Sequence, residues 1–273
     1  MKKISFVILA LSSFFAVMCG EKPSSMPVQE EGKVQIVAHR GFWNCEEGGM
    51  SENSIAALKA AQDNGFWGSE FDVQLTSDHK VLVNHDPTID GMSIWENPAS
   101  AFADHRLPNG EKVPTLDDYL EQGKKNARTM LVLEVKEQGS VENELVLTDL
   151  AIEALRAHDL LDPARVAFIS FSIEVCEKIA LELPGFINQY LNGDIAPDDL
   201  LERGINGIDY NQSVIKSHPE WVEQAHSLGM STNSWTVNSE EQIDAMLAAG
   251  VRAITSNYPL RVREMTGPQE SRP

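Results

Sequence analysis

The feature that most constrains this chain is an alternation. From Val34 onward, short β-branched or aromatic runs are followed by segments of helical periodicity. The spacing predicts strands over Val34–Ala38, Ser69–Gln74, Met130–Val135, Val166–Ser170, Phe186–Leu191, Gly207–Tyr210, Thr232–Thr236 and Ala253–Ser256. Between them it predicts helices over Ser54–Asn64, Thr115–Gln122, Val141–His158, Ile173–Leu183, Pro197–Arg203, Pro219–Leu228 and Glu240–Ala249. Several of these end at glycine, the usual helix stop. Strands joined by helices of this length run parallel, and eight of them point to a closed (β/α)8 barrel, an α/β fold of the TIM type. An open doubly wound sheet is the alternative that the pattern leaves. No internal repeat and no break in composition follows residue 33.

One segment departs from the alternation. Lys80–His85 reads as a strand, yet only Leu75–His79 separates it from the strand before it. A crossover helix needs about a dozen residues, so this strand must return antiparallel. The expected turn lies near Ser77-Asp78, which sets His85 opposite Asp72. The result is a β-hairpin strand added after the second stave, outside the eight of the barrel.

Composition narrows the partners. With 22 Lys and Arg against 41 Asp and Glu, the formal net charge is −19, which argues against nucleic acid and anionic membrane surfaces as bulk partners. Three cysteines, Cys19, Cys45 and Cys176, are too few for a disulfide framework. At the N-terminus, Lys2 and Lys3 precede an apolar run, Ile4–Val17. That run is shorter than the ~20 residues of a membrane span and fits the core of a secretory signal. It ends in Ala16-Val17-Met18-Cys19 and gives way to a polar stretch. This is similar to a bacterial lipoprotein signal, in which the cysteine becomes the lipidated first residue. An ordinary cleaved signal with an incidental cysteine is the other reading. The expected organisation is a signal peptide over residues 1–18, a flexible tether over 19–33, one barrel over 34–262 and a tail over 263–273. Such a protein is exported to the bacterial cell envelope and meets the membrane through its anchor at Cys19 alone.

Active sites of such barrels lie at the C-terminal ends of the strands, and polar residues are dense there. The first strand runs into His39-Arg40-Gly41, the second carries Glu70 and Asp72, the hairpin ends in His85-Asp86, and the next strand runs into Glu134 and Lys136. Residues two apart on a strand share a face, so each Glu-x-Asp or Glu-x-Lys pair points one way. Taken singly, each is an ordinary solvated strand face or a hydrogen-bonded histidine. Together, three inward carboxylates repel one another unless a cation sits between them, and hard oxygen ligands describe Mg²⁺ or Ca²⁺. Arg40 and Lys136 are cations of the kind that hold a phosphate, and His39 and His85 supply a proton donor and acceptor. Metal, phosphate clamp and acid–base pair specify phosphoryl transfer.

At these positions the sequence resembles the glycerophosphodiester phosphodiesterase family, within the phosphatidylinositol phospholipase C-like phosphodiesterase superfamily. The matching pieces are His39-Arg40-Gly41, Glu52-Asn53, Glu70-Phe71-Asp72-Val73, Thr76-Ser77-Asp78, His85-Asp86, Val113-Pro114-Thr115-Leu116, Glu134-Val135-Lys136, Trp235-Thr236-Val237-Asn238 and Ile254-Thr255-Ser256-Asn257-Tyr258-Pro259. The resemblance implies a barrel that uses one divalent cation to hydrolyse glycerophosphodiesters to glycerol 3-phosphate and an alcohol. It implies His39 and His85 as the acid–base pair, Glu70, Asp72 and Glu134 as metal ligands, and Arg40 and Lys136 as phosphate contacts. Asn53 and Trp235 follow as substrate-side candidates, the first otherwise a helix cap and the second otherwise barrel core. Ten residues separate Gly41 from Glu52, more than is usual in the family, and this loop, with Trp43 and Cys45, is expected over the metal site. Asn257 stands near where an aspartate is common. Two further readings stay open: a lyase that forms a cyclic phosphate, and a non-catalytic lipoprotein that binds ligands with the same barrel.

Overall fold

The computed structural model describes residues 33–267. The expected signal segment, Cys19, nearly all of the expected tether and residues 268–273 lie outside the described residues. In chain order the elements begin with β1 (Gln35–Ala38), α1 (Ile55–Asp63), β2 (Gly68–Leu75), β3 (Val81–Val83), β4 (Thr88–Ile89), β5 (Met92–Ser93), α2 (Leu116–Gly123) and β6 (Met130–Val135). They continue with α3 (Val141–Ala157), β7 (Val166–Ser170), α4 (Ile173–Glu182), β8 (Ile187–Tyr190), α5 (Pro197–Glu202) and β9 (Gly207–Asn211). The last are α6 (Gln212–Ser217), α7 (Glu220–Ser227), β10 (Ser231–Trp235), α8 (Glu240–Ala249), β11 (Ala253–Ser256) and α9 (Pro259–Thr266).

Eight strands, β1, β2 and β6 to β11, pair in parallel, and β1 closes the ring by pairing with both β11 and β2. The (β/α)8 barrel is therefore the fold, and the open sheet is excluded. β3 pairs antiparallel on β2 outside the ring, as the short connection demands. Its register pairs Val73 with Val83, and Asn84 N donates to Asp72 O at 3.1 Å. Asp72 thus faces Asn84, and His85 stands one residue further on, which corrects the expected pairing by one position.

The period-2 alternation of the strands divides the interior. Phe71, Val73, Leu131, Leu133 and Phe168 face the helices, with Leu58, Tyr119, Leu120 and Leu155 packed against them. The inward set begins with Val37, Met130, Val132, Ala167, Ile169 and Ile187, which pack as one apolar layer. Above it the inward positions turn polar, and that change marks the catalytic end. Ser54, Ser140, Ser172 and Ser239 cap their helices through side-chain oxygens, and Thr115 forms a full capping box with Asp118. Gly123, expected as a stop, is the last residue of α2; a Cβ there would lie 2.9 Å from Leu131 Cδ1, so the glycine serves close approach to the barrel. Two helices went unexpected. α6 follows β9 directly, capped by Asn211, the last residue of that strand, and α9 starts at Pro259 and runs through residue 262, the expected edge of the domain, to Thr266.

Candidate active site

The site is built where β1 stops short. β1 pairs with β2 only up to Ala38 and Ser69, and β3 joins β2 only from Val73. The edge of β2 between those points has no strand beside it. The chain after β1 fills the gap: Gly41 N donates to Glu70 O at 2.9 Å, and Asp72 N donates to Asn53 Oδ1 at 3.2 Å. Gly41 has φ +79°, and a Cβ there would meet Ala57 Cβ at 2.6 Å, so only glycine fits that crossing. Arg40 and Asn53 also take the left-handed conformation, and Asn53 N donates back to Arg40 O at 2.9 Å. Residues 40–53 are thereby closed into a loop seated on the strand that carries Glu70 and Asp72.

The register of β2 on β6 sets Asp72 beside Glu134, with Glu70 two residues lower on the same face. Glu70, Asp72 and Glu134 are buried and bring one oxygen each to within 4.8 Å of one another. The protein holds one oxygen of two of them. Arg40 N donates to Glu70 Oε2 at 2.7 Å, and Asn53 Nδ2 donates to Asp72 Oδ2 at 2.8 Å. Glu70 Oε1 and Asp72 Oδ1 are buried without a hydrogen bond. Orphaned carboxylate oxygens of that kind fit a hard divalent cation, and the described residues hold no other such cluster. Lys136 stands over the same group, its Nζ 2.8 Å from Glu134 Oε1 and 3.5 Å from Asp72 Oδ1. Arg40 binds Glu52 Oε2 through Nη1 at 2.6 Å and places Nε 3.8 Å from Asp72 Oδ2.

Burial, then the charges of Asp72 and Glu134, pushes the Glu70 carboxyl well above the usual carboxylate range. Burial, then Asp72, pushes Glu134 up to about 8. Burial also opposes charge on Asp72, but Lys136, His85, Asn53 and Arg40 outweigh it and hold that carboxyl low. One committed anion thus sits between two carboxyls that resist ionising.

The two histidines are held differently. His39 Nδ1 lies 2.7 Å from Asn257 Oδ1. An amide oxygen only accepts, so Nδ1 carries the proton and Nε2 keeps its lone pair. Burial and the Arg40 charge lower the His39 pKa to about 4, so the ring is neutral near pH 7. His85 is more open and sets Nδ1 2.7 Å from Asp86 Oδ1. It lines a 340 Å³ cavity together with Arg40, Asn53 and Trp43.

The structure therefore brings together His39, Arg40, Asn53, Glu70, Asp72, His85, Glu134 and Lys136. Asn53 is not the cap of α1, which is Ser54; its amide instead grips Asp72 at two atoms. Trp235 is half-buried, donates Nε1 to Asp209 O at 2.8 Å and meets the Phe171 ring edge-on at 5.5 Å. Cys45 and Cys176 are free. Sequence reasoning missed Asp209, whose buried carboxyl is raised by burial and then by Glu134, and which accepts from Asn233 Nδ2 at 3.1 Å. The Asp-x-Asn spacing at the end of β9 was its signal. It also missed that Asn257 fixes the His39 tautomer.

A barrel with carboxylates, a guanidinium, an ammonium and two histidines at its mouth defines a phosphodiester-cleaving enzyme of the TIM class. Known proteins agree. The family model for the glycerophosphoryl diester phosphodiesterase family matches residues 39–261. A glycerophosphodiester phosphodiesterase structure from Parabacteroides distasonis is 35% identical with a TM-score of 0.83, covering 87% of this chain and 98% of that one. The glycerophosphodiester phosphodiesterase of Caldanaerobacter subterraneus is 26% identical over 242 residues, 83% of this chain and 95% of the relative. An Oleispira antarctica phosphodiesterase solved with the product sn-glycerol-3-phosphate, 22% identical with a TM-score of 0.71 over 85% and 96% of the two chains, shares the fold. The chain belongs to the glycerophosphoryl diester phosphodiesterase family.

The raised carboxyls set a pH dependence. A carboxyl whose pKa is higher folded than unfolded binds more protons in the folded state, so stability falls as pH rises toward the folded value. His39 acts in the opposite sense only between about 4 and its ordinary 6.5. Between pH 6.5 and 8 the carboxyls govern, and thermal melts in chelator are expected to lose at least about 4 °C across that window. Saturating divalent cation is expected to flatten the slope.

Proposed function

We propose that this chain hydrolyses glycerophosphodiesters to glycerol 3-phosphate and an alcohol, with one divalent cation, Mg²⁺ or Ca²⁺, and with His39 and His85 moving the protons. The convergence of Glu70, Asp72 and Glu134 within 4.8 Å, beneath two histidines and two cations, carries the reading. Glu70, Asp72 and Glu134 would hold the hard cation, which would supply Lewis-acid polarisation of a phosphoryl oxygen and lower the pKa of the attacking hydroxyl. Arg40 and Lys136 hold the remaining phosphoryl charge, each already turned toward the carboxylate cluster. His39, neutral and with its Nε2 lone pair 3.9 Å from Glu70 Oε2, takes the proton as the new O–P bond forms. His85 gives a proton to the alcohol oxygen as the old P–O bond breaks, its Nδ1 paired with Asp86 and its Nε2 left for substrate. Asn53 orients Asp72 and, from the lining of the cavity, stands on the substrate side. Trp235 lines the glycerol side of the pocket.

Phosphorus NMR of the products decides the reaction class. A glycerol 3-phosphate signal supports hydrolysis, a persistent cyclic phosphate transfers the chain to the lyases, and no turnover with metal present leaves a binding protein. His39→Ala and His85→Ala are each expected to lower kcat by at least about 10², with metal affinity unchanged. On a diester with a nitrophenol leaving group, which needs no protonation, the His85 variant is expected to recover and the His39 variant to stay slow. Rescue of neither removes both histidines from proton transfer.

We also propose export to the cell envelope with a lipid anchor on Cys19, which rests on the N-terminal sequence alone. The native protein is expected to enter the detergent phase in a two-phase extraction, and Cys19→Ala to stay in the aqueous phase. Equal partitioning contradicts the anchor.

A further inference from the structure

Charge in this chain is sorted along the barrel axis. Each helix that follows a barrel strand starts at the mouth and runs back to the base, the end where the strands begin. α2, α3, α4, α5 and α8 all carry Asp or Glu in their first turn, as the helix dipole favours, so acid gathers at the mouth. The base differs. β11, β1, β2, β6 and β7 are successive neighbours in the ring. Arg252 stands immediately before β11, Lys33 two residues before β1 and Arg128 two before β6, with Lys124 and Lys125 in the turn that leaves α2. Lys33, Lys124, Lys125 and Arg128 are exposed. The turn that presents three of them is fixed from below. Arg165 Nη2 donates to Gly123 O at 3.0 Å and to Asn126 O at 3.2 Å, and Arg128 N donates to Asn126 Oδ1 at 2.8 Å. Of the acids at this end, Asp63 pairs with Lys59 and Glu121 with Lys124 and His158, while Asp159, Asp162 and Glu264 border the arc.

We propose that this basic arc is a docking face for an anionic phospholipid bilayer, and that the barrel rests on it base-down with the mouth turned to the water. The inference rests on the reading of Cys19 as a lipid anchor, which brings the chain to a bilayer; the charge of the face does not depend on it. Lys33 belongs to the arc and is fourteen positions from Cys19, so an anchored chain keeps this end within ~50 Å of the lipid even at full extension. A tethered face needs little affinity of its own, because the tether sets a high local concentration. Lysines and arginines at that distance are drawn by the negative surface potential of the bilayer. The net charge of −19 opposes such a contact for the chain as a whole. Its acid-rich end is out of range: α3 runs ~25 Å from mouth to base, and the Debye length at physiological salt is about 8 Å. Contact through the anchor alone, the expectation from composition, gives way to contact through a local face. The diester then reaches the site from water and not from the plane of the lipid.

The test adds the native full-length protein to preformed vesicles of phosphatidylcholine, alone or mixed with phosphatidylglycerol, and labels lysines with an acetylating reagent read by mass spectrometry. Lys33, Lys124 and Lys125 report the base; Lys80, in the hairpin beyond β2, and Lys216, in α6, are exposed and report the mouth. Labelling of the three base lysines is expected to fall at least about threefold on the anionic vesicles relative to the neutral ones, with Lys80 and Lys216 unchanged. The protection is expected to vanish in about 1 M salt, where the Debye length is ~3 Å. In a Lys124→Glu, Lys125→Glu, Arg128→Glu variant, Lys33 is expected to lose its protection while release of glycerol 3-phosphate from a soluble diester stays within about twofold of native. The salt arm reads the same face without mutation, so a poorly folded variant does not decide the matter. Binding to both vesicles with no difference in labelling overturns the face and leaves the anchor. Protection of Lys80 or Lys216 instead means that the mouth faces the lipid, and overturns the orientation. Binding to the anionic vesicles alone, with the base lysines protected, removes the anchor and keeps the face.

Discussion

Three carboxylates buried in one pocket set the terms for the rest of this structure. Asp72 is held ionised by Lys136, His85, Asn53 and Arg40, while burial and mutual repulsion keep Glu70 and Glu134 well above their ordinary range. Folding tolerates this because each group is fixed by something else. Glu70 is pinned by the Arg40 amide, Asp72 by the Asn53 side chain and Glu134 by the Lys136 ammonium. Those supports leave oxygens of Glu70 and Asp72 without hydrogen bonds, an arrangement that a divalent cation would fit and that would offset the burial. Binding capacity and instability therefore have one origin.

The loop from Arg40 to Asn53 converts that strain into a site. It is the substitute for a missing stretch of β1, and it satisfies the edge of β2 at Glu70 O and Asp72 N. A chain segment needed to complete the barrel's hydrogen bonds thus also orients two carboxylates, turns Arg40 toward Asp72 and brings Trp43 and Met50 to the cavity. Left-handed backbone at Arg40, Gly41, Gly49, Met50 and Asn53 is the conformational cost of so tight a return.

Much of this was legible in the residues. Strand positions came from β-branched alternation, and Met130–Val135, Val166–Ser170 and Ala253–Ser256 fall where periodicity places them, because buried parallel strands tolerate little else. Inward carboxylates were legible because a period of two sets Glu70 with Asp72 on one face. Other features were not, for physical reasons. The hairpin register depends on how Thr76 and His79 close the turn, so Asp72 meets Asn84 and not His85. The role of Asn53 required knowing that β1 ends early, and that of Asn257 required closing β11 against β1. Asp209 reads as an ordinary strand residue until the barrel turns it inward near Glu134.

Proton release on metal binding tests the central claim most directly. If Glu70 and Glu134 hold protons near neutrality because of burial and Asp72, an entering cation must displace them. Calorimetric titration with Mg²⁺ or Ca²⁺ at pH 7, in two buffers of different ionisation enthalpy, reads the number released. About one proton or more per ion bound is the predicted result. Metal binding by the native protein with the same heat in both buffers would mean that the carboxylates are already ionised, and would contradict the account.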